Sequence, residues 1–151
     1  MVTRKLKLSA ESETDIDIIG ITTILADYRL AYFLNKEALF KLEKMDDLPV
    51  FYEKLKITRE HSLFAWHDHD HRLSYYLICN DHSDGKMIDQ FPQANYFLFI
   101  KGKHNPQDSK ALQSQIRKIP SVSFVFAPVI SKIKELEGIL QDLEIHELNR
   151  L

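Results

Sequence analysis

The sequence predicts an α+β fold, a single domain with a mostly antiparallel sheet and about three helices. The chain has 151 residues, of which 44% are hydrophobic and 28% charged, as expected for one ordinary globular domain. Segments with the alternation typical of strands follow one another along most of the chain, and three segments with a helical period lie between and after them. We therefore treat residues 1–151 as one domain, in which residues 130–151 form a C-terminal helix that packs on the sheet or at a dimer interface.

The first predicted elements are two strands and a helix. Lys5–Leu8 alternates and predicts a short strand, and the β-branched segment Ile16–Thr22 predicts a second. Gly20 within it indicates a bulge or a close contact. The segment Asp27–Ala38 changes to a helical period, and its apolar residues Leu30, Phe33, Leu34 and Ala38 form one stripe. Asp27 is the predicted N-cap, since its carboxylate can accept a free backbone N–H.

The middle of the chain predicts short strands and a hairpin. Phe40–Met45 alternates and predicts a strand, whereas the following segment, interrupted by Pro49, fits no element clearly. Residues 61–80 have two arms rich in aromatic and aliphatic residues, separated by a polar centre. Chain reversal belongs in that centre, so this stretch predicts a strand, a turn and a strand.

The last third predicts a buried strand, a helix, a strand and a helix. Tyr96–Ile100 is apolar at every position, which is typical of a strand covered on both faces. Pro106–Lys118 predicts a helix that Asn105 caps and Pro120 ends. Ser121–Val129 predicts another strand and Ser131–Glu147 the C-terminal helix.

The predicted elements also suggest how the sheet is covered. The helix between Tyr96–Ile100 and Ser121–Val129 can form a right-handed crossover, or its split form with a strand between, and so lies on one face. We expect the first helix to join it there. The C-terminal helix, or a second copy of the chain, then covers the opposite face, because large exposed apolar patches are rare on monomers. We expect this helix to bury Ile133, Leu136, Leu140 and Leu143, with the homodimer slightly favoured.

The run His67, Asp68, His69, Asp70, His71 is the one stretch with metal-ligand chemistry. In an extended strand the three histidines would share a face and could hold zinc, nickel or copper. They occupy the segment that must bend, however, and no second pair of ligands follows at a fixed spacing. A pH switch would need an element with two states. We therefore predict an exposed hairpin tip without a bound metal, and keep the metal site and the switch as alternatives.

No catalytic constellation or cofactor motif is evident. Cys79 lies in a predicted strand, where a thiol usually acts as a small buried hydrophobe, and no G-x-S-x-G sequence occurs. The four glycines are scattered, so none forms a phosphate-binding loop. The strand aromatics predict core packing rather than base stacking, because basic residues are not interleaved with them. We predict no cofactor and no catalytic residue.

Charge and hydropathy indicate which classes of partner and which compartment are expected. The net charge is −2 and the pI about 6.4, which does not favour nucleic acid. No run of about 18 apolar residues occurs, so no membrane span is expected, and the basic N-terminus lacks the apolar core of a signal peptide. The single cysteine excludes an intrachain disulfide. Cytoplasm is the expected compartment.

Four blocks of the sequence resemble a family of small bacterial proteins, the IPExxxVDY family. They are residues 27–39, 73–80, 96–102 and 116–122, in the family's order. The naming motif falls on Ile88–Tyr96, where Ile88 and Tyr96 match, while Gln90 stands for the motif's Glu and Asn95 for its Asp. An amide keeps the shape of the carboxylate but loses its charge. The resemblance implies a fold and a compartment and no activity. We expect Asn95 to bond local backbone and Tyr96 to begin a central strand.

These observations predict a non-catalytic interaction or accessory protein, with an unknown protein partner or a homodimer. The alternative is a small-molecule-binding protein or an enzyme that uses a pocket between the sheet and the helices. The two differ in what they need: a partner surface in the first case, a concave site in the second.

Overall fold

The computed structural model describes residues 15–83, 85–103 and 105–149. The predicted strand Lys5–Leu8 lies outside these residues. Within them the predicted fold class is confirmed: one antiparallel six-stranded sheet is packed between helices. The two-layer covering follows from the sheet's central strands, which are apolar on both faces and must be shielded from water on both.

The described residues contain ten strands: β1 (Ile16–Thr23), β2 (Glu43–Lys44), β3 (Leu48–Tyr52), β4 (Ile57–His61), β5 (Leu63–Asp68), β6 (Leu73–Cys79), β7 (Asp81–His82), β8 (Gly85–Lys86), β9 (Tyr96–Lys101) and β10 (Val122–Phe126). Six of them form the main sheet in the order β10-β1-β9-β6-β5-β2, and every neighbouring pair is antiparallel. The other four form two small hairpins, β3-β4 and β7-β8.

Three helices cover the sheet: α1 (Asp27–Glu37), α2 (Pro106–Arg117) and α3 (Leu136–Leu148). Helices α1 and α2 share one face, where they enclose a core with alternate residues of β1, β6 and β9. Helix α3 and the β3-β4 hairpin cover the other face. The expected arrangement is confirmed, and α2 forms the split crossover, because β1 lies between β9 and β10.

The central strand and the α2 cap follow the sequence closely. Tyr96–Ile100 is buried at every position, and Tyr96 begins β9 as expected. Asn105 caps α2: its side-chain Oδ1 accepts from the N–H of Gln107 at 2.9 Å, and Pro106 takes the first helical position. Gly20 makes a close contact, since a Cβ there would lie closer than 3.0 Å to the Phe126 ring.

Two local predictions are corrected, and the segment that fitted no element is a hairpin. Ala26, not Asp27, is the N-cap of α1; the Asp27 carboxylate instead accepts from the N–H of Tyr28 and the hydroxyl of Ser62. The strand expected over Phe40–Met45 is limited to Glu43–Lys44, because only these two residues pair with β5. The β3-β4 hairpin contains Pro49, which is tolerated there because β3 pairs on one side only.

The C-terminal helix begins later than predicted. A short 3-10 turn, Ile130–Lys132, comes first, and α3 starts at Leu136 rather than at Ser131. Ile133 and Leu143 are buried as expected, whereas Leu136 and Leu140 are only partly buried. Ile139 is the buried residue of α3 that the predicted stripe omits. All five pack in one chain, so covering this face requires no second copy. Among the described residues, no helix has both the length and the apolar character needed to cross a bilayer.

Candidate functional site

The β5-β6 hairpin carries the histidine run and divides it between two faces. His67 lies in β5, and His69 and His71 lie in the four-residue turn before β6. His67 and His69 stay together, with their ring centroids 6.4 Å apart. His71 lies apart from them: its Nδ1 contacts the Asp68 carboxylate at 2.8 Å, while His67 points to the opposite face. In the described part of the chain, no group of three or more His, Cys, Asp and Glu side chains could hold a metal ion.

A cleft of about 410 Å³ opens on the first face, between the sheet and helices α1 and α2. Its floor is an aromatic cluster of Phe40, Trp66 and Tyr75. Trp66 and Tyr75 are paired across β5 and β6, and their rings stack at 5.2 Å between centroids. The Phe40 ring lies 4.4 Å from that of Tyr75.

Two carboxylates line this cleft, Asp68 from β5 and Asp108 from the first turn of α2. Desolvation acts to raise the pKa of Asp68, but hydrogen bonds from the ring and backbone of His71 outweigh it and hold this pKa below its usual value. Both carboxylates act on the Tyr75 hydroxyl: burial first, and then their negative charges, raise the pKa of Tyr75. The polar edge of the cleft is therefore negative.

Leu39 stands at the mouth of the cleft in an unusual conformation. It follows the end of α1 with φ 59°, a left-handed conformation usually taken by Gly at this position. Its side chain lines the cleft and is 79% exposed. A bulky residue held this way costs on the order of 1 kcal/mol, and such strain is concentrated at binding sites.

On the other face, a chain of hydrogen bonds ties α3 to the sheet. His67 Nδ1 lies 2.8 Å from the Ser74 hydroxyl, and His67 Nε2 lies 3.2 Å from Glu147 Oε2. The Tyr76 hydroxyl donates to the other oxygen of Glu147 at 2.5 Å. Because a carboxylate only accepts, Nε2 of a neutral His67 carries the proton and Nδ1 accepts from Ser74. Burial and the Glu147 contact raise the pKa of Tyr76, so it stays a donor.

Three of these residues, His67, Tyr76 and Glu147, border a smaller cavity of about 270 Å³ between the sheet and the end of α3. Its lining includes Lys101, which is paired with Ser74 across β6 and β9. The order carboxylate, imidazole, hydroxyl is that of a catalytic triad, in which the imidazole accepts the proton of the nucleophile. The sequence could not reveal it, because Glu147 is 80 residues away from His67.

The motif positions make contacts within the chain. Ile88 is buried, and Tyr96 donates its hydroxyl proton to the carbonyl of Leu25 at 2.7 Å. Gln90 Nε2 donates to Asp89 Oδ1 at 2.9 Å and to Glu135 at the start of α3 at 3.1 Å.

The expectation for Asn95 is wrong in its partners. Its side-chain oxygen accepts from the N–H of Thr23 in the neighbouring strand β1 at 2.8 Å, and its amide donates to the Asp81 carboxylate at 2.9 Å. Neither partner is local backbone, because the strand edge of β1 passes directly beside the turn that holds Asn95.

Sequence reasoning missed the buried residue that organises this segment, Asn80. Its side-chain oxygen accepts from the N–H of Ile88 at 2.7 Å, and its amide donates to the carbonyl of Ala94 at 2.9 Å. It thereby holds both ends of the 88–94 loop. The available signal was a polar residue directly after an apolar strand and before a long loop, the position that Asn side chains favour for bonding backbone.

A second buried polar group, His61, is also structural. Its Nδ1 lies 2.8 Å from the Cys79 carbonyl and its Nε2 2.6 Å from the Tyr52 hydroxyl. Burial lowers the pKa of His61, which therefore stays neutral, with its proton on Nδ1 because a carbonyl only accepts. Burial raises the pKa of the Cys79 thiol, contrary to what an activated nucleophile needs.

Comparison with known proteins adds no relative to this geometry. No family model matches the chain, and no curated protein or solved structure is similar to it. The resemblance to the IPExxxVDY family stays a prediction.

Proposed function

We propose that this chain is a non-catalytic binding protein, and that the cleft above Phe40, Trp66 and Tyr75 is where it binds a small ligand. The observation that carries the proposal is the cleft itself: about 410 Å³, with an aromatic floor and a few polar groups at its edge. Ligand sites are typically of 300–1,000 Å³ and have this composition. The strained, exposed Leu39 at the mouth supports the same conclusion.

Trp66 makes the proposal testable, because it is the only tryptophan of the chain and lies in the cleft. A metabolite library screened by thermal shift and by Trp66 fluorescence should yield a compound that changes both saturably. Ala111→Phe, which adds a ring to the cleft wall on α2, should abolish the response. Ser114→Phe adds the same ring to an exposed part of α2 outside the cleft and should not. A library without a single saturable ligand would count against the proposal.

A second candidate function rests on the Ser74–His67–Glu147 chain, which supports an enzyme of acyl transfer or ester hydrolysis. Ser74 Oγ would attack the carbonyl carbon of an ester as its proton passes to His67 Nδ1. The bond to the leaving alcohol would break as that alcohol takes the proton, and water or another acceptor would then attack the acyl group and release Ser74. A fluorophosphonate probe should label Ser74 and fail to label the Ser74→Ala and His67→Ala variants. A wild-type protein that stays unlabelled at high probe concentration would exclude this function and leave the chain as a tie between α3 and the sheet.

We propose the cytoplasm as the compartment, because the chain has a single cysteine, Cys79, which is free and forms no intrachain disulfide. A homodimer or another protein partner also remains a proposal. The exposed apolar residues Ile24, Tyr28 and Tyr32 at the start and along the outer side of α1 support it, since aromatic side chains are enriched in interfaces. Sedimentation equilibrium over a hundredfold range of concentration tests the homodimer, and a monomer throughout would refute it.

A further inference from the structure

The polar groups of the cleft between the sheet and helices α1 and α2 are unusually one-sided in charge. Among the described lining residues, the side chains that are ionised at neutral pH are the carboxylates of Asp68 and Asp108, and neither Lys nor Arg occurs. His71 is the remaining titratable base, and its Nδ1 is bonded to Asp68 at 2.8 Å. An anionic ligand would therefore enter against two carboxylates and would meet no Lys or Arg side chain of the lining.

The aromatic floor favours the same kind of ligand. The face of an aromatic ring is the negative end of its quadrupole, and cations bind to it, most strongly over Trp and Tyr. Trp66 and Tyr75 stack at 5.2 Å, and Phe40 packs beside both, so the floor is a continuous set of rings. A ligand that touches this floor also lies near the carboxylates, since Asp68 and Asp108 line the same cleft.

From this geometry we propose that the cleft binds a small organic cation, an amine or quaternary ammonium group on a compact apolar body. The inference rests on the proposed function, because it requires that the cleft binds a small ligand at all. The Asp68 carboxylate stays fixed in place because it accepts two hydrogen bonds from His71, one from the backbone N–H at 3.3 Å and one from the ring at 2.8 Å. Its charge is thus preorganised before the ligand arrives, which lowers the cost of binding.

Three probes of nearly one shape separate the cation from its apolar body: choline, its neutral analogue 3,3-dimethylbutan-1-ol, and the anion 3,3-dimethylbutanoate. None absorbs where Trp66 is excited, so each can be titrated by tryptophan fluorescence. Choline should bind at least about tenfold more tightly than the alcohol, and the anion should not bind. Affinity for choline should fall with added salt, whereas affinity for the alcohol should not.

Matched variants assign the selectivity to the cleft. Asp68→Asn and Asp108→Asn should each weaken choline binding about five- to tenfold and leave the affinity for the alcohol unchanged. Asp70→Asn removes the same charge from the adjacent turn, where the side chain is exposed and does not line the cleft, and should change neither. Circular dichroism and the unchanged alcohol affinity show that each variant is folded.

The outcomes distinguish the inference from the proposed function. If choline and the alcohol bind equally, or if Asp70→Asn weakens choline as much as Asp68→Asn does, the cation selectivity is refuted while the cleft remains a binding site. If all three probes and the metabolite library leave Trp66 fluorescence unchanged, the proposed function itself fails and the inference with it.

Discussion

Truncation of the chain after Val129 is expected to give an insoluble or molten product. The removed segment contains Ile133, Ile139 and Leu143, which are buried against one face of the sheet, and Leu136 and Leu140, which pack partly against it. Each fully buried side chain contributes about 1.5–3 kcal/mol, while a domain's net stability is about 5–15 kcal/mol. Size-exclusion chromatography and near-ultraviolet circular dichroism measure the result. A truncated chain that stays soluble, monomeric and cooperatively folded would show that α3 covers nothing essential.

A matched pair of point variants refines this expectation. Ile139 is 1% exposed and Ile145, on the same helix, is 56% exposed. Ile139→Ala should lower the free energy of unfolding by about 2–5 kcal/mol, because a cavity is left in the core. Ile145→Ala should change it by less than about 0.5 kcal/mol. Urea unfolding gives both values, and equal effects would mean that α3 does not pack as described.

The second large effect is expected for Asn80→Ala, which should lower the free energy of unfolding by about 2–4 kcal/mol. Asn80 is fully buried, and its side chain bonds the N–H of Ile88 and the carbonyl of Ala94. Alanine leaves these buried backbone groups without a side-chain partner, and leaving them unbonded or admitting water to them both cost free energy. Urea unfolding followed by Trp66 fluorescence and by circular dichroism measures the loss.

Asn35→Ala is the control for this prediction. Asn35 also bonds backbone twice, to the N–H and the carbonyl of Leu42, but it is partly exposed. Water can replace its side chain, so we expect a loss of only about 0.5–1.5 kcal/mol. If Asn80→Ala costs no more than Asn35→Ala, the 88–94 loop is held by other contacts and Asn80 is not its organiser.

Those features that depend on neighbouring residues were predicted from the sequence. The N-cap and first turn of α2 follow from the adjacent residues Asn105 and Pro106, whose effects are confined to the first turn. The β5-β6 hairpin follows from two apolar arms around a polar turn, and the burial of Tyr96–Ile100 from its unbroken apolar character. Alternation along β5 even separates Trp66 from His67, since successive side chains of a strand point to opposite faces.

The partners of polar side chains were decided by the tertiary structure alone. Asp27 is of a residue type that often caps helices, yet its carboxylate accepts a hydrogen bond from Ser62, which the fold brings beside it. Asn95 bonds Thr23 rather than its own turn, because β1 lies next to β9.

The candidate sites likewise exist only in the folded chain. Sequence alone determined an α+β domain with a polar hairpin tip and a doubly covered central strand, because these depend on local period and turn chemistry. The cleft forms only where Phe40, from the segment after α1, packs against Trp66 and Tyr75 of two paired strands. The hydrogen-bond chain through His67 forms only because α3 packs back over the sheet and brings Glu147 to it. Side-chain hydrogen bonds and ring contacts form over only a few ångströms, so which groups share a site is decided by long-range packing that no local pattern encodes.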